Sequence, residues 1–168
     1  MDPSRHPACL TADELAQQCK IQRTRRGGPG GQHRNKVDSA IVVTHEATGV
    51  TAQASERRSQ HENRAVALLR LRVNLAIEVR TEPGQSPSEL WQSRCNSGRI
   101  SISTSHDDFP SMLAEALDHI FQHELQLGTA AESLGCSTSQ LVKLIKQEPA
   151  AFVMLNNARK SRDLSTLK

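Results

Sequence analysis

The chain has 168 residues, 36% hydrophobic and 23% charged, which suits one domain or one domain plus a small appendage with a core. Three Phe, one Trp and no Tyr make that core aliphatic, and no apolar run approaches the ~18–20 residues of a membrane helix. The net charge of +3 hides an asymmetry: residues 20–80 carry twelve basic and five acidic side chains, whereas both flanking stretches are slightly acidic.

Residues 1–10 read as disordered, and Arg5 among Asp2, Asp13 and Glu14 makes a poor transit peptide, so a cytoplasmic protein is expected. Four cysteines (Cys9, Cys19, Cys95 and Cys136) lack any CxxC spacing and read as reduced thiols. Thr11 before Asp13 and Glu14 predicts a capped short helix, with Leu15 and Cys19 on its apolar side. Lys20 to Arg26 reads as extended or loop. Gly27-Gly28-Pro29-Gly30-Gly31 excludes both helix and paired strand, because glycine loses too much backbone entropy and proline lacks a donor. Residues 40–54 predict a β-hairpin: Ala40–His45 is β-branched, Thr48-Gly49 offers a turn, and Val50–Ala54 alternates.

From Arg58 to Arg80 the period turns helical, with Leu68, Leu71, Leu75 and Val79 on one stripe, widened by Ala65, Val73 and Ala76. Arg64, Arg70 and Arg72 fall on the other face. Residues 81–109, rich in Pro, Gly and polar residues, read as a linker or irregular wrap, in which Ile100 and Ile102 could make one short strand. A helix is expected after Pro110. Ala130–Ser137 and Ser139–Lys146 then give helix, glycine turn, serine cap and second helix, and a last helix follows Pro149. The expected fold is α+β: a small domain at 11–80 with a β-hairpin against a long helix, and a helical unit at 110–168.

The glycine loop is the chemical centre of gravity. Arg23, Arg25, Arg26, Arg34 and Lys36 lie within fourteen residues that contain no acid, so the segment is either a solvated surface or a partner for a polyanion. A dinucleotide fingerprint begun at Gly28 would need glycine at His33, and a P-loop would need glycine at Asn35; both fail. A plain surface loop is the bland alternative. Against it, glycines let backbone amides approach a ligand, and the arginines beside them would neutralise phosphates.

Three segments carry a resemblance. Arg25-Arg26-Gly27-Gly28-Pro29-Gly30-Gly31-Gln32-His33-Arg34-Asn35-Lys36, then Thr44-His45 with Thr48-Gly49, then Arg58-Ser59-Gln60-His61-x-Asn63-Arg64 together resemble the GGQ domain of class I peptide chain release factors. The likeness runs over residues 20–80 without a gap. It implies hydrolysis of the ester between nascent peptide and tRNA in the peptidyl-transferase centre of the large ribosomal subunit. The same likeness makes Gly30, Gly31 and Gln32 the catalytic tripeptide, with Gln32 a candidate for N5-methylation by a glutamine methyltransferase. Arg23, Arg25, Arg26, His33, Arg34, Asn35 and Lys36 would meet RNA around the loop. Arg57, Arg58, Gln60, His61, Asn63 and Arg64 would do so at the start of the helix. It also implies a further short strand before the loop, which is expected to be exposed and mobile. Ribosome and peptidyl-tRNA are the partners implied; no cofactor and no metal is.

Departures accompany the likeness: Arg34 stands where valine is common, Ala47 where proline is, and Arg57 where an acid is. At 168 residues the chain is expected to lack the domains that read stop codons, and it has neither a Pro-x-Thr nor a Ser-Pro-Phe tripeptide. Small codon-independent ribosome-rescue factors are the nearer likeness, but their basic tail is expected to be absent or replaced here, since residues 129–168 hold six basic and three acidic residues in a helical pattern. The expected function is therefore ribosome-dependent peptidyl-tRNA hydrolysis without codon recognition. The alternative is a ribosome- or RNA-binding protein that keeps the loop without hydrolysis.

Two further patterns are weaker. The 130–146 segment has helix-turn-helix spacing, with Gln140, Lys143 and Lys146 available to a recognition helix, although plain packing explains such pairs more often. His119 and His123 have metal-ligand spacing but no third ligand, and read as half-exposed helix residues. Trp91 and Cys95 read as packing anchors.

Overall fold

A computed structural model describes residues 5–24 and 40–168, and the fold is α+β. These residues form two compact units, Pro7–Val79 and Arg80–Lys168, with Arg5 and His6 grouped with the second.

In Pro7–Val79, a 3-10 turn at Pro7–Cys9 leads into α1 (Ala12–Ala16). Thr11 caps α1 reciprocally: its hydroxyl accepts from the Glu14 N–H, and the Glu14 carboxylate accepts from the Thr11 N–H at 2.8 Å. Cys19, expected on that helix, instead opens β1 (Cys19–Thr24). The helix ends early because the chain is already tied to the sheet at Gln18, whose carbonyl accepts from the Glu46 N–H at 3.1 Å and whose side-chain oxygen meets the buried His45.

β1, β2 (Ala40–His45) and β3 (Thr51–Ala54) form an antiparallel sheet in that order. Register runs from Cys19↔His45 to Thr24↔Ala40 on one side of β2, and from Ile41↔Ala54 to Thr44↔Thr51 on the other. The turn between β2 and β3 depends on Gly49, whose φ of +75° disfavours any side chain. His45 is buried beneath that turn. Its Nδ1 meets Thr48 Oγ1 at 2.8 Å and its Nε2 meets Gln18 Oε1 at 3.2 Å. The Thr48 hydroxyl also accepts from the Val50 N–H at 3.3 Å. The Thr-His-x-x-Thr-Gly pattern is thus hairpin chemistry.

α2 (Gln60–Glu78) lies over β2 and β3 and buries Ala67, Leu68, Leu71, Leu75 and Ala76 against them and the N-terminal segment. The apolar stripe is therefore narrower than its sequence suggests, with Ala65 exposed and Val73 and Val79 half-buried. Arg70 and Asn74, one turn apart, donate to the Gln53 carbonyl at 2.9 Å and the Thr51 carbonyl at 2.8 Å. Those bonds satisfy acceptors on the edge strand β3, which would otherwise invite another chain to pair. Arg72 does not lie on the solvated face: it is 3% exposed and donates to the Ala8 carbonyl at 3.0 Å.

The second unit holds α3 (Glu89–Arg94), a small hairpin of β4 (Cys95–Asn96) and β5 (Arg99–Ile100), α4 (Phe109–Gln122), α5 (Leu127–Ser133), α6 (Thr138–Lys146) and α7 (Pro149–Lys160). Part of the stretch read as a linker is therefore structured. Ser88 caps α3 by accepting from the Trp91 N–H at 3.0 Å, and Trp91 is buried with its indole donating to the Leu134 carbonyl at 2.8 Å. One aromatic anchor and one cap suffice for an element too short to show a period.

α4 is the hub, buried along nearly its whole length. Asp118, 4% exposed, accepts from the Arg80 guanidinium at 3.1 Å and the Thr81 hydroxyl at 2.6 Å, which fixes the start of this unit. After α4 the chain reverses through Glu124 and Leu125, both at positive φ (51° and 64°), and Arg159 of α7 donates to the Leu125 carbonyl. His119 is buried rather than half-exposed. Its Nδ1 meets Ser133 Oγ at 3.0 Å, and burial, reinforced by His123, lowers its pKa. No helix among the described residues is long and apolar enough to cross a membrane.

Candidate nucleic-acid interface

The segment between β1 and β2 is rooted on the Thr24↔Ala40 pair. Arg25, Arg26, Gly30, Gly31, Gln32, His33, Arg34, Asn35 and Lys36 lie outside the described residues. What the described residues define is the ground on which that segment stands.

Because α2 covers β2 and β3, a groove opens between β1 and the first turn of α2. Ile21, Arg23, Ile41, Gln60, His61 and Arg64 line it. The sheet period explains one wall: Ile21 and Arg23 are two apart and share a face, and Arg23 pairs across to Ile41. The helix period explains the other, since positions 60 and 64 are one turn apart. Four residues expected to contact RNA thus converge on one groove, next to the strand pair from which the glycine segment departs. Of its apolar floor, the sequence places Ile41 on a strand and Ile21 in a stretch that reads as extended or loop, and it assigns neither to a site.

The groove is cationic. Arg23, His61 and Arg64 are exposed and make no ion pair with another described residue. Arg57 and Arg58 are exposed on the turn leading into α2. Arg70, by contrast, is engaged: it pairs with Glu56 at 2.5 Å, and the Ser55 N–H together with Arg70 holds the Glu56 carboxyl down to about 2.

Two motif residues serve the scaffold. Ser59 caps α2 by accepting from the Glu62 N–H at 3.4 Å. Asn63 is completely buried and turns onto the backbone of Arg57. Neither Cys19 nor Cys136 offers a nucleophile at neutral pH, since burial pushes both thiols up to about 11. No cluster of three metal-ligating side chains occurs among the described residues.

A three-stranded sheet under one long helix thus carries, at the root of the glycine-rich segment, a groove whose two arginines make no ion pair among the described residues. The RF-1 domain model matches residues 13–109, and the chain belongs to the class I peptide chain release factor family with its GGQ domain. The chain is similar to peptide chain release factor 1 of Verminephrobacter eiseniae, with 32% identity across 99% of this chain and 41% of that protein. It is 41% identical to peptide chain release factor 1 of Leptothrix cholodnii over 54% of this chain and 25% of the relative. Against that of Rickettsia typhi the figures are 44% identity over 44% and 21%. The chain therefore spans well under half the length of these curated relatives.

Proposed function

We propose that this protein hydrolyses the peptidyl-tRNA ester inside the ribosomal peptidyl-transferase centre, without reading a stop codon. The observation that carries the reading is the intact Gly30-Gly31-Gln32-His33 sequence inside the family match, rooted beside the groove of Arg23, Gln60, His61 and Arg64.

The chemistry follows from those residues. Water attacks the ester carbonyl, the bond to the tRNA 3′-oxygen breaks, and that oxygen takes up a proton. The Gln32 N–H donates to the negative charge developing there, which is oxyanion-type stabilisation. Glycines at 30 and 31 let the backbone approach where a Cβ would intrude. The Gln32 side chain shapes the pocket for water over larger nucleophiles, and it is the site proposed for N5-methylation by a glutamine methyltransferase. Arg25, Arg26, Arg34, Lys36 and the groove cations hold RNA phosphates, while His33 and Asn35 seat the loop.

The test is peptide release from stalled ribosomes loaded with labelled peptidyl-tRNA, with a sense codon, a stop codon or no codon in the decoding site. Release is expected in all three, and Gln32→Ala should lower it ~10²–10³-fold. Equal release by Gln32→Ala would overturn the mechanism, and release confined to stop codons would overturn codon independence. Binding to large subunits with no ester cleavage in any state would establish the non-hydrolytic alternative.

A further inference from the structure

The release-factor chemistry leaves the second unit without a task, yet that unit carries a second, separate basic surface. α5 and α6 are joined through Leu134–Ser137, with Gly135 at φ +64°, in the arrangement of a helix-turn-helix. The turn is built rather than incidental. The Trp91 indole donates to the Leu134 carbonyl, the Ser137 N–H donates to the Gly98 carbonyl at 3.4 Å, and the Ile100 N–H donates to Gln140 Oε1 at 3.3 Å. The β4–β5 hairpin is thereby fastened along the start of α6.

Leu141, Leu144 and Ile145 face the core, so the opposite side of α6 presents Ser139, Lys143 and Lys146 at four- and three-residue steps. Ser137 and Thr138 add exposed hydroxyls at its start, and the fastened hairpin brings exposed Arg99 to the same end. No acidic residue occurs from Ser133 to Gln147, and the nearest one downstream, Glu148, caps α7 by accepting from the Ala150 N–H. Gln140, expected on a recognition surface, is instead engaged by the hairpin.

We propose that this face of α6, with Arg99, grips the phosphate backbone of structured RNA. The side-chain chemistry selects backbone over bases. Lysines are point charges and serines donate single hydrogen bonds; α6 itself holds no exposed arginine, asparagine or free glutamine to pair two-pronged with a base edge, which leaves Arg99 as the one side chain of this surface able to do so. RNA rather than DNA follows from the ribosomal role, on which this choice of partner rests. It also agrees with a surface that needs no entry into the narrow major groove of A-form RNA.

The experiment titrates the full chain against a fluorescein-labelled RNA hairpin and a DNA duplex of equal length, by anisotropy across a salt series. Lys143→Gln with Lys146→Gln is expected to weaken hairpin binding about tenfold or more near 0.1 M salt and to flatten the salt slope by about 1.5 to 2. Ser139→Glu, a single exposed change in the same stripe, should weaken it in the same direction. Far-UV melting curves should match the unmodified chain for both variants. Unchanged affinity and slope in both variants would overturn the proposal, as would DNA binding as tight as that of the hairpin. No ester is cleaved in this assay, so failure of the release reaction and failure of the α6 surface remain separate results.

Discussion

Asn63 holds the backbone of Arg57 with both ends of its amide: Oδ1 accepts from the Arg57 N–H and Nδ2 donates to the Arg57 carbonyl, each at 2.9 Å. This side chain does what a neighbouring strand would do, and it fixes the turn carrying Arg57 and Arg58 against the start of α2.

Replacing Asn63 by alanine leaves that N–H and carbonyl without their partner. A loss of about 1–3 kcal/mol is expected in denaturant unfolding. Aspartate keeps the acceptor but not the donor and should fall between. No change in stability with alanine would mean that the clip is dispensable.

The groove cations should act on binding alone. Arg23→Gln with Arg64→Gln removes two exposed charges that make no ion pair among the described residues, and should flatten the salt slope of ribosome binding by about two while leaving the melting temperature unchanged. A melting temperature that drops would assign these arginines to the scaffold instead.

Acid should destabilise both units. Burial lowers the pKa of His45 and of His119, so both imidazoles are held neutral in the fold. Below about pH 6.5 the unfolded chain binds more protons at these positions, so their contribution is present above that value and lost as pH falls. Melting temperatures should decline between about pH 7 and pH 5, and His45→Gln should reduce the slope. A flat profile would count against buried neutral histidines.

The corner after α4 stores strain that can be released. Glu124 is exposed at φ 51°, a conformation costly for most side chains and easier for asparagine. Glu124→Asn is expected to stabilise the protein by about 0.5–1 kcal/mol in thermal or denaturant unfolding. Leu125 shares the conformation but is buried, so the same exchange there should destabilise.

The hairpin, the long helix and the caps of α1 and α6 were legible because each rests on local chemistry: β-branched alternation, a leucine stripe, a serine or threonine before a helix. What escaped was the fate of long polar side chains. Arg72 sits on α2 outside the leucine stripe and reads as solvated, but the N-terminal 3-10 turn packs there and its Ala8 carbonyl needs a donor. His119 reads as partly exposed for the same reason: periodicity gives the direction of a residue, and only tertiary packing says whether a second element waits there, while Asn63, which the motif resemblance groups with RNA contacts, turns onto the Arg57 backbone. Likewise α3 is too short to show a period, and Trp91 anchors it through a carbonyl 43 positions away. For the site, the motif named the residues, while their convergence on one groove needed the β1–β2 register.

The distribution of aromatic rings makes the protein's two units differ optically. The only tryptophan is Trp91, the three phenylalanines are Phe109, Phe121 and Phe152, and no tyrosine occurs. The unit Pro7–Val79 therefore has no chromophore of its own in the near ultraviolet, and intrinsic fluorescence watches Arg80–Lys168 alone. If the sheet and α2 melted first, emission would stay constant while ellipticity at 222 nm fell. The gap between those two curves would measure, without any label, how independently the GGQ-bearing unit unfolds.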